Sequence, residues 1–309
     1  MRPLRLAMLI ERKENLMVDR QPEAREKHMS STGMVLTEVA WLDTHFEACY
    51  PEYKMMLYST GMTAGWHVLD AGCGGGNYLP LLADLLGPTG RIAALDLAPE
   101  NIAVVKKRLA AWNLSCSVSA EVGTLIALPY PDSYFDAVWS ANVMQYFGDV
   151  ELPTVLKELC RVVRPGGLVA LKDVDMHLMR LYPADPFLVT HLCEASIRGS
   201  NVMAQSQGSL RGQELRRWLE KAGLEQVWQK TTLIERWAPL QPVERQLFSV
   251  GLTYLAQVAE ERGVPETDLV TWRSLCDATS PENLVNHPDF YACEGQVVAV
   301  GRVAETVSG

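Results

Sequence analysis

The stretch Val68-Leu69-Asp70-Ala71-Gly72-Cys73-Gly74-Gly75-Gly76-Asn77-Tyr78 runs directly into Leu79-Pro80-Leu81-Leu82. An apolar run that ends in an acid, passes through glycines and enters a second apolar segment reads as a strand, a ligand-binding turn and a helix. Glycines let such a turn adopt positive φ and approach a ligand closely, while the N–H groups of the helix start face the bound molecule. Two cofactor classes use it: dinucleotides and S-adenosylmethionine. A dinucleotide turn asks for G-x-G-x-x-G, but the residue five after Gly72 is Asn77. Asp70 would repel a pyrophosphate, whereas it attracts the ammonium of a methionine moiety or organises the loop that holds it. The turn therefore favours the sulfonium cofactor.

Outward from the turn, strands and helices alternate. Arg91 to Asp96 is a short apolar run ending in an acid, and Pro99-Glu100-Asn101 opens a helix through Leu109. Phe135 to Ser140 reads as the fourth strand, Leu152 to Val163 as a helix, Arg164-Pro165-Gly166-Gly167 as a turn, and Leu168 to Leu171 as the start of the fifth strand. Further on, Gly212 to Ala222 is an amphipathic helix stopped by Gly223, and Val227 to Trp237 and Phe290 to Val303 are strand-like. This pattern predicts a doubly wound, seven-stranded, mostly parallel α/β sheet of Rossmann-like type, with an antiparallel last pair. Val35, Val39, Leu42 and Phe46 recur at helical spacing until Pro51, which predicts a helical N-terminal cap. Leu247, Val250, Leu252, Leu255 and Val258 predict a helical insertion before the last strand. The expected divisions are a polar arm at 1–33, the cap at 34–62, the α/β core at 63–238, the insertion at 239–288, and the final strand with the C-terminus at 289–309.

With 309 residues, 48% of them hydrophobic, the chain can bury one large core. A net charge of −9 and a pI of about 5.3 give no overall attraction to phosphate backbones or anionic membranes, so neither nucleic acid nor a membrane is expected as a partner. Seven cysteines without C-x-x-C pairs suggest reduced thiols in the cytoplasm and no metal site. The apolar run near the start ends at Glu11-Arg12-Lys13, too short for a signal core. A homodimer stays open.

The string D-x-G-C-G-x-G, from Asp70 to Gly76, resembles the first motif of the class I S-adenosylmethionine-dependent methyltransferases. Leu128-Pro129-Tyr130-Pro131-Asp132-Ser133-Tyr134-Phe135-Asp136 and Glu158-Leu159-Cys160-Arg161-Val162-Val163-Arg164-Pro165-Gly166-Gly167 are similar to its small-molecule branch, near the quinone-biosynthesis and natural-product enzymes. The resemblance implies that Asp70, Gly72, Gly74, Gly76 and Asn77 hold the cofactor. Asp96, with Leu97 beside it, would accept the ribose hydroxyls. The family commonly carries an acid four residues before the Leu-Pro pair to bind the adenine amine; this chain has Thr124, a weaker acceptor. Leu125 would pack on the base. Asn142 lies where relatives touch the cofactor, and capping a helix start is its equal alternative.

The fifth strand leaves the sheet as Lys172-Asp173-Val174-Asp175-Met176-His177, and alternation puts Asp173 and Asp175 on one face. Ligands of open α/β sheets gather at that end, so Asp173, Asp175 or His177 is expected to take a proton from the nucleophile. Met55, Met56, Met144, Met176 and Met179, beside Tyr53, Tyr58 and Tyr146, suit an apolar or aromatic acceptor, and His45 and Glu52 could reach the same pocket. The expectation is therefore direct methyl transfer to a small molecule, to oxygen in preference to carbon or nitrogen. The rivals are a protein of this fold that binds the cofactor without methylating, as a cyclase or binding module, and a Rossmann oxidoreductase.

Overall fold

The computed structural model describes residues 39–198, 208–277, 279–280 and 283–305. The expected N-terminal arm and the first residues of the cap lie outside them. Seven strands form one sheet: β1 His67–Ala71, β2 Arg91–Asp96, β3 Ser117–Val122, β4 Phe135–Ala141, β5 Val163–Tyr182, β6 Glu225–Trp237 and β7 Tyr291–Arg302. Their order is β3-β2-β1-β4-β5-β7-β6. The first five run parallel, and β7 pairs antiparallel with both β5 and β6. The doubly wound, mostly parallel sheet with an antiparallel last pair is thus present. Strand order reverses between β1 and β4, and a reversal of this kind opens a crevice at the carboxyl ends of the strands.

Both faces of the sheet are covered, and side-chain alternation sorts the strands into two cores. One holds Val68, Ala137, Trp139, Leu168, Ala170, Val298 and Val300 with α3 (Leu79–Leu86) and the cap helices α1 (Val39–Ala48) and α2 (Tyr50–Tyr58). The other holds Leu69, Val138, Val169, Leu171, Val297 and Ala299 with α5 (Leu152–Val162) and α7 (Leu215–Lys221). Leu152, Val155, Leu156, Leu159 and Val162 of α5 are all buried, the one-faced stripe that docks a helix onto a sheet. Burying each such side chain contributes about 1.5–3 kcal/mol.

Beyond Asp175, β5 shifts register against β7 and continues to Tyr182, so that the ends of β5, β6 and β7 project past the parallel sheet. A third core forms there with α6 (Leu188–Arg198), α8 (Pro242–Arg262) and α9 (Glu266–Cys276), around Trp272 and Phe290. The insertion is therefore two helices, where the apolar spacing pointed to one.

Two local readings change, and one strand carries no pattern that locates it. The cap is two helices broken at Cys49; Pro51 lies in the first turn of α2, where its missing N–H has no intrahelical partner to lose. The helix expected from Gly212 starts at Leu215, because Gly208–Glu214 forms tighter 3-10 turns that press Arg211 into the interior. Finally β3, Ser-Val-Ser-Ala-Glu-Val, is a largely exposed edge strand held by backbone pairing with β2, so its sequence lacks an apolar run.

Candidate active site

The glycine turn is built as a socket. Gly72 has φ +80°, and a Cβ there would lie 2.5 Å from Val143 Cγ2. The N–H groups of Gly72 and Cys73 both donate to Leu95 O, at 2.8 and 3.0 Å, tying the turn to β2. Gly74 N–H donates to Asp96 Oδ2 at 2.8 Å, while Asp96 Oδ1 accepts from Ala98 N–H and Asn101 Nδ2. Asp96 thus already organises the loop, a role beyond the expected ribose contact. Asn77 is also engaged: its Oδ1 and Gly75 O both accept from Arg108 Nη1 at 2.8 Å, and Arg108 pairs with Asp43 of the cap.

Beneath the turn, Asp70 is buried with Oδ2 lacking a partner, and burial, assisted by Asp96, pushes its carboxyl up to about 8. Trp139 lies opposite it in the β1–β4 register with Nε1 unpaired, and the Tyr78 hydroxyl is unpaired as well. The Tyr78 and Trp139 rings meet edge to face at 5.1 Å. Buried polar atoms without partners are destabilising, so three at neighbouring positions mark a place for a polar ligand. An ammonium would neutralise Asp70, which is the fit expected for a methionine moiety.

The adenine side is less formed. Leu97 is exposed, whereas Leu125 is buried in the core with Leu95 and Leu128, so Leu97 is the apolar surface open to a base. Thr124 Oγ1 accepts from Ile126 N–H at 3.3 Å, a bond within its own turn. Asn142 has φ +60° and caps no long helix; its N–H donates to Lys172 O, and its Oδ1 accepts from Lys172 Nζ at 2.9 Å.

Alternation divides the strand-five exit. Asp173 is fully buried on the α5 and α7 side, facing Arg211 and the amides of Met144 and Gln145; burial pushes it up, to about 7, against the pull of Lys172 and Arg211. Asp175 accepts from His177 N–H at 3.1 Å, and its Oδ1 lies 3.1 Å from His177 Nδ1. Lys172 points the other way, toward the cap: its Nζ sits 4.0 Å from the Tyr53 ring centroid, and burial brings it down to about 8. Asp173 and the Asp175–His177 pair are consequently not brought together with the cap.

What the cap does bring together is His45, Cys49 and Tyr53 against Glu294 of β7. His45 Nε2 lies 3.1 Å from Glu294 Oε1 and 3.3 Å from the Tyr53 hydroxyl, and Cys49 Sγ donates to Glu294 Oε1 at 3.6 Å. Glu294 gave no signal in the sequence, because nothing local links it to the cap 249 residues away. Glu52 is engaged elsewhere, with Arg236. The methionines do not converge: Met56 and Met144 are buried on opposite faces, and Met55 is exposed. A cavity of about 960 Å³ lined by Met179, Tyr182, Trp237 and Tyr291 opens at the tip of the projecting strands and touches neither the glycine turn nor the cap.

A methyltransferase-domain family model matches residues 68–167. The chain is 28% identical over 216 residues to methyltransferase GfsG of Streptomyces halstedii, covering 70% of this chain and 71% of that one. It is 34% identical over 126 residues to the chloroplastic 2-phytyl-1,4-beta-naphthoquinone methyltransferase of Arabidopsis thaliana, covering 40% of this chain and 48% of that one. The chain thus spans most of the first relative but about half of the quinone methyltransferase. Among solved structures, YcgJ of Bacillus subtilis superposes with a TM-score of 0.52 at 17% identity, over 83% of this chain and 99% of that one, a likeness of fold. The matched residues carry the glycine turn and the buried Asp70 and Asp96, so the part of the chain that holds the cofactor turn is a methyltransferase domain.

Proposed function

We propose that this enzyme methylates a small apolar or aromatic molecule, at an oxygen, with S-adenosylmethionine as donor. The cofactor supplies an activated methyl group, so the protein's task is to hold the nucleophile in line, which can remove on the order of 7–11 kcal/mol from the barrier. The observation that carries the reading is Asp70: a buried carboxyl with an unpaired oxygen beneath a glycine turn. Asp70, Gly72, Gly74, Gly76 and Asn77 would receive the methionine part, Asp96 the ribose, Leu97 the face of the base and Thr124 the adenine edge, with Leu125 packed in the core beneath. Asn142 would stand between donor and acceptor. The cap supports an apolar acceptor, because Phe46 and Tyr53 pack over Tyr78 at centroid distances of 4.9 and 6.1 Å. Naphthoquinone methylation by the Arabidopsis relative supports an aromatic skeleton.

The acidic balance supports a small molecule over nucleic acid, and seven cysteines that form no disulfide support the cytoplasm. No helix among the described residues is long and apolar enough to cross a membrane. Calorimetry with adenosylhomocysteine, NAD and NADP tests the cofactor side: micromolar binding of the first and none of comparable strength for the others is expected. Mass spectrometry of whatever copurifies in the pocket tests the acceptor side.

A further inference from the structure

The cluster between the cap and the sheet does more than anchor α1. Lys172, Gln296, Glu294 and the cap residue Tyr53 lie on the sheet face that also carries Asp70 and Trp139. Tyr53 stacks toward Tyr78, which ends the glycine turn, and Lys172 bonds Asn142, which follows β4. The cluster therefore adjoins the cofactor site from two directions.

Most of its members are unsuited to taking a proton. Tyr53 is fully buried, and burial raises its hydroxyl, as it raises the Cys49 thiol. Lys172 is fully buried and already bonded to Asn142. Glu294 is held down at about 2 although burial acts upward, because His45, Gln296 and Lys172 stabilise its charge; so weak a base takes no proton from a hydroxyl. His45 is different. Its side chain keeps 14% of its surface open, and among the described residues all its hydrogen bonds run through Nε2, to Glu294 and Tyr53. In the tautomer that donates Nε2–H to the carboxylate, Nδ1 carries the free lone pair.

We propose that His45 is the catalytic base for the acceptor hydroxyl and that Glu294 is its positioning residue, an assignment that rests on the methyl-transfer reading above. The acceptor's O–H proton passes to His45 Nδ1 while the new O–CH₃ bond forms and the S–CH₃ bond breaks, its electron pair remaining on sulfur. The resulting imidazolium is stabilised by the Glu294 carboxylate and afterwards returns its proton to water. The donor atoms of His45, Cys49 and Glu294 also lie within 4.8 Å of one another, as a metal would require. The charges of Lys172 and Arg236 act on the same thiol, and Lys172 on the same carboxylate, which disfavours an added cation and favours proton transfer.

The test uses the full chain, its His45→Gln and Glu294→Gln variants, and para-substituted phenols with pKa from about 7 to about 10 as acceptors. Adenosylhomocysteine affinity should stay within about twofold of wild type in both variants. His45→Gln should lose about 100-fold or more in turnover with the least acidic phenol and under about threefold with the most acidic. Glu294→Gln should lose about tenfold with the same trend. His45→Ala should be rescued by added imidazole, which covers a glutamine variant that fails to fold. An equal loss across all phenols, unchanged turnover, or cofactor affinity falling in parallel would overturn the assignment while leaving methyl transfer intact. If wild type binds adenosylhomocysteine and methylates no phenol, the acceptor class is wrong and the base falls with it.

Discussion

At the scale of single residues, Asp70 makes the sharpest statement. With its carboxyl pushed up to about 8 by burial and by Asp96, it is mostly protonated at pH 6.5 in the free protein. An ammonium placed against Oδ2 reverses the balance and drives the proton off. Binding of adenosylhomocysteine at pH 6.5 should therefore release about one proton, seen as a dependence of the calorimetric enthalpy on buffer ionisation. Asp70→Asn should abolish that dependence and weaken binding by about 1.5–3 kcal/mol, the range for a hydrogen bond to a charged group. An enthalpy independent of buffer would remove Asp70 from the ligand. Asp96→Ala removes an acceptor from Gly74 and Ala98 as well as from any ribose, so it should weaken the same ligand by about 2–3 kcal/mol. Both acids are legible in the sequence because each sits at a strand end beside a turn, a purely local pattern. That Asp96 also holds the turn together is not, since Gly74 reaches it from the end of the neighbouring strand, 22 residues away in sequence.

At the scale of elements, the cap helix α1 lies directly on the glycine turn. A Cβ on Gly74 would meet Leu42 Cδ1 at 2.9 Å, and Arg108 of α4 (Pro99–Ala111) clasps Gly75 O, Asn77 Oδ1 and Asp43 together. Loop, crossover helix and cap are thus coupled through one guanidinium. Arg108→Ala should lower stability by about 1.5–3 kcal/mol, the range for hydrogen bonds to charged groups, and make α1 more sensitive to limited proteolysis. A variant with wild-type melting temperature and wild-type cleavage rate would show that α1 docks without it. The helices themselves are written in apolar spacing, as the stripe from Leu152 to Val162 illustrates. Edge strand β3 and second insertion helix α9 are not, because the first is held by backbone pairing with polar side chains outward and the second by packing of Trp272 into the third core.

For the whole molecule, two buried acids set how stability responds to pH. Asp70 and Asp173 have folded-state values near 8 and 7, above those of an unfolded aspartate, so the folded protein binds more protons than the unfolded one between about pH 4 and those values. Stability of the ligand-free enzyme should consequently fall as pH rises across that window. Glu294 works in the opposite sense lower down: held at about 2, it contributes stability above the usual glutamate value that is lost as pH falls toward 2. Melting temperatures from pH 5 to 8 should decline in wild type and decline less steeply in Asp70→Asn. Saturating adenosylhomocysteine should flatten the wild-type curve as well, because the bound form keeps Asp70 ionised. Parallel curves for wild type and variant would mean that Asp70 titrates alike in both states.

The amino-acid order by itself determined the doubly wound sheet, six of its strands with the antiparallel end, and the cofactor turn. Each of these rests on periodicity, a turn or an acid within a few residues of its neighbours, and interactions of that range are written consecutively along the chain. Tertiary structure alone decided which groups meet across the sheet. Alternation along β5 turns Lys172 to the cap and Asp173 to the opposite face, and the antiparallel β7 carries Glu294 back to His45. The residues expected at the strand-five exit and those gathered under the cap are separated by one step of the pleat, and only the packed sheet fixes which of its two faces the cap covers.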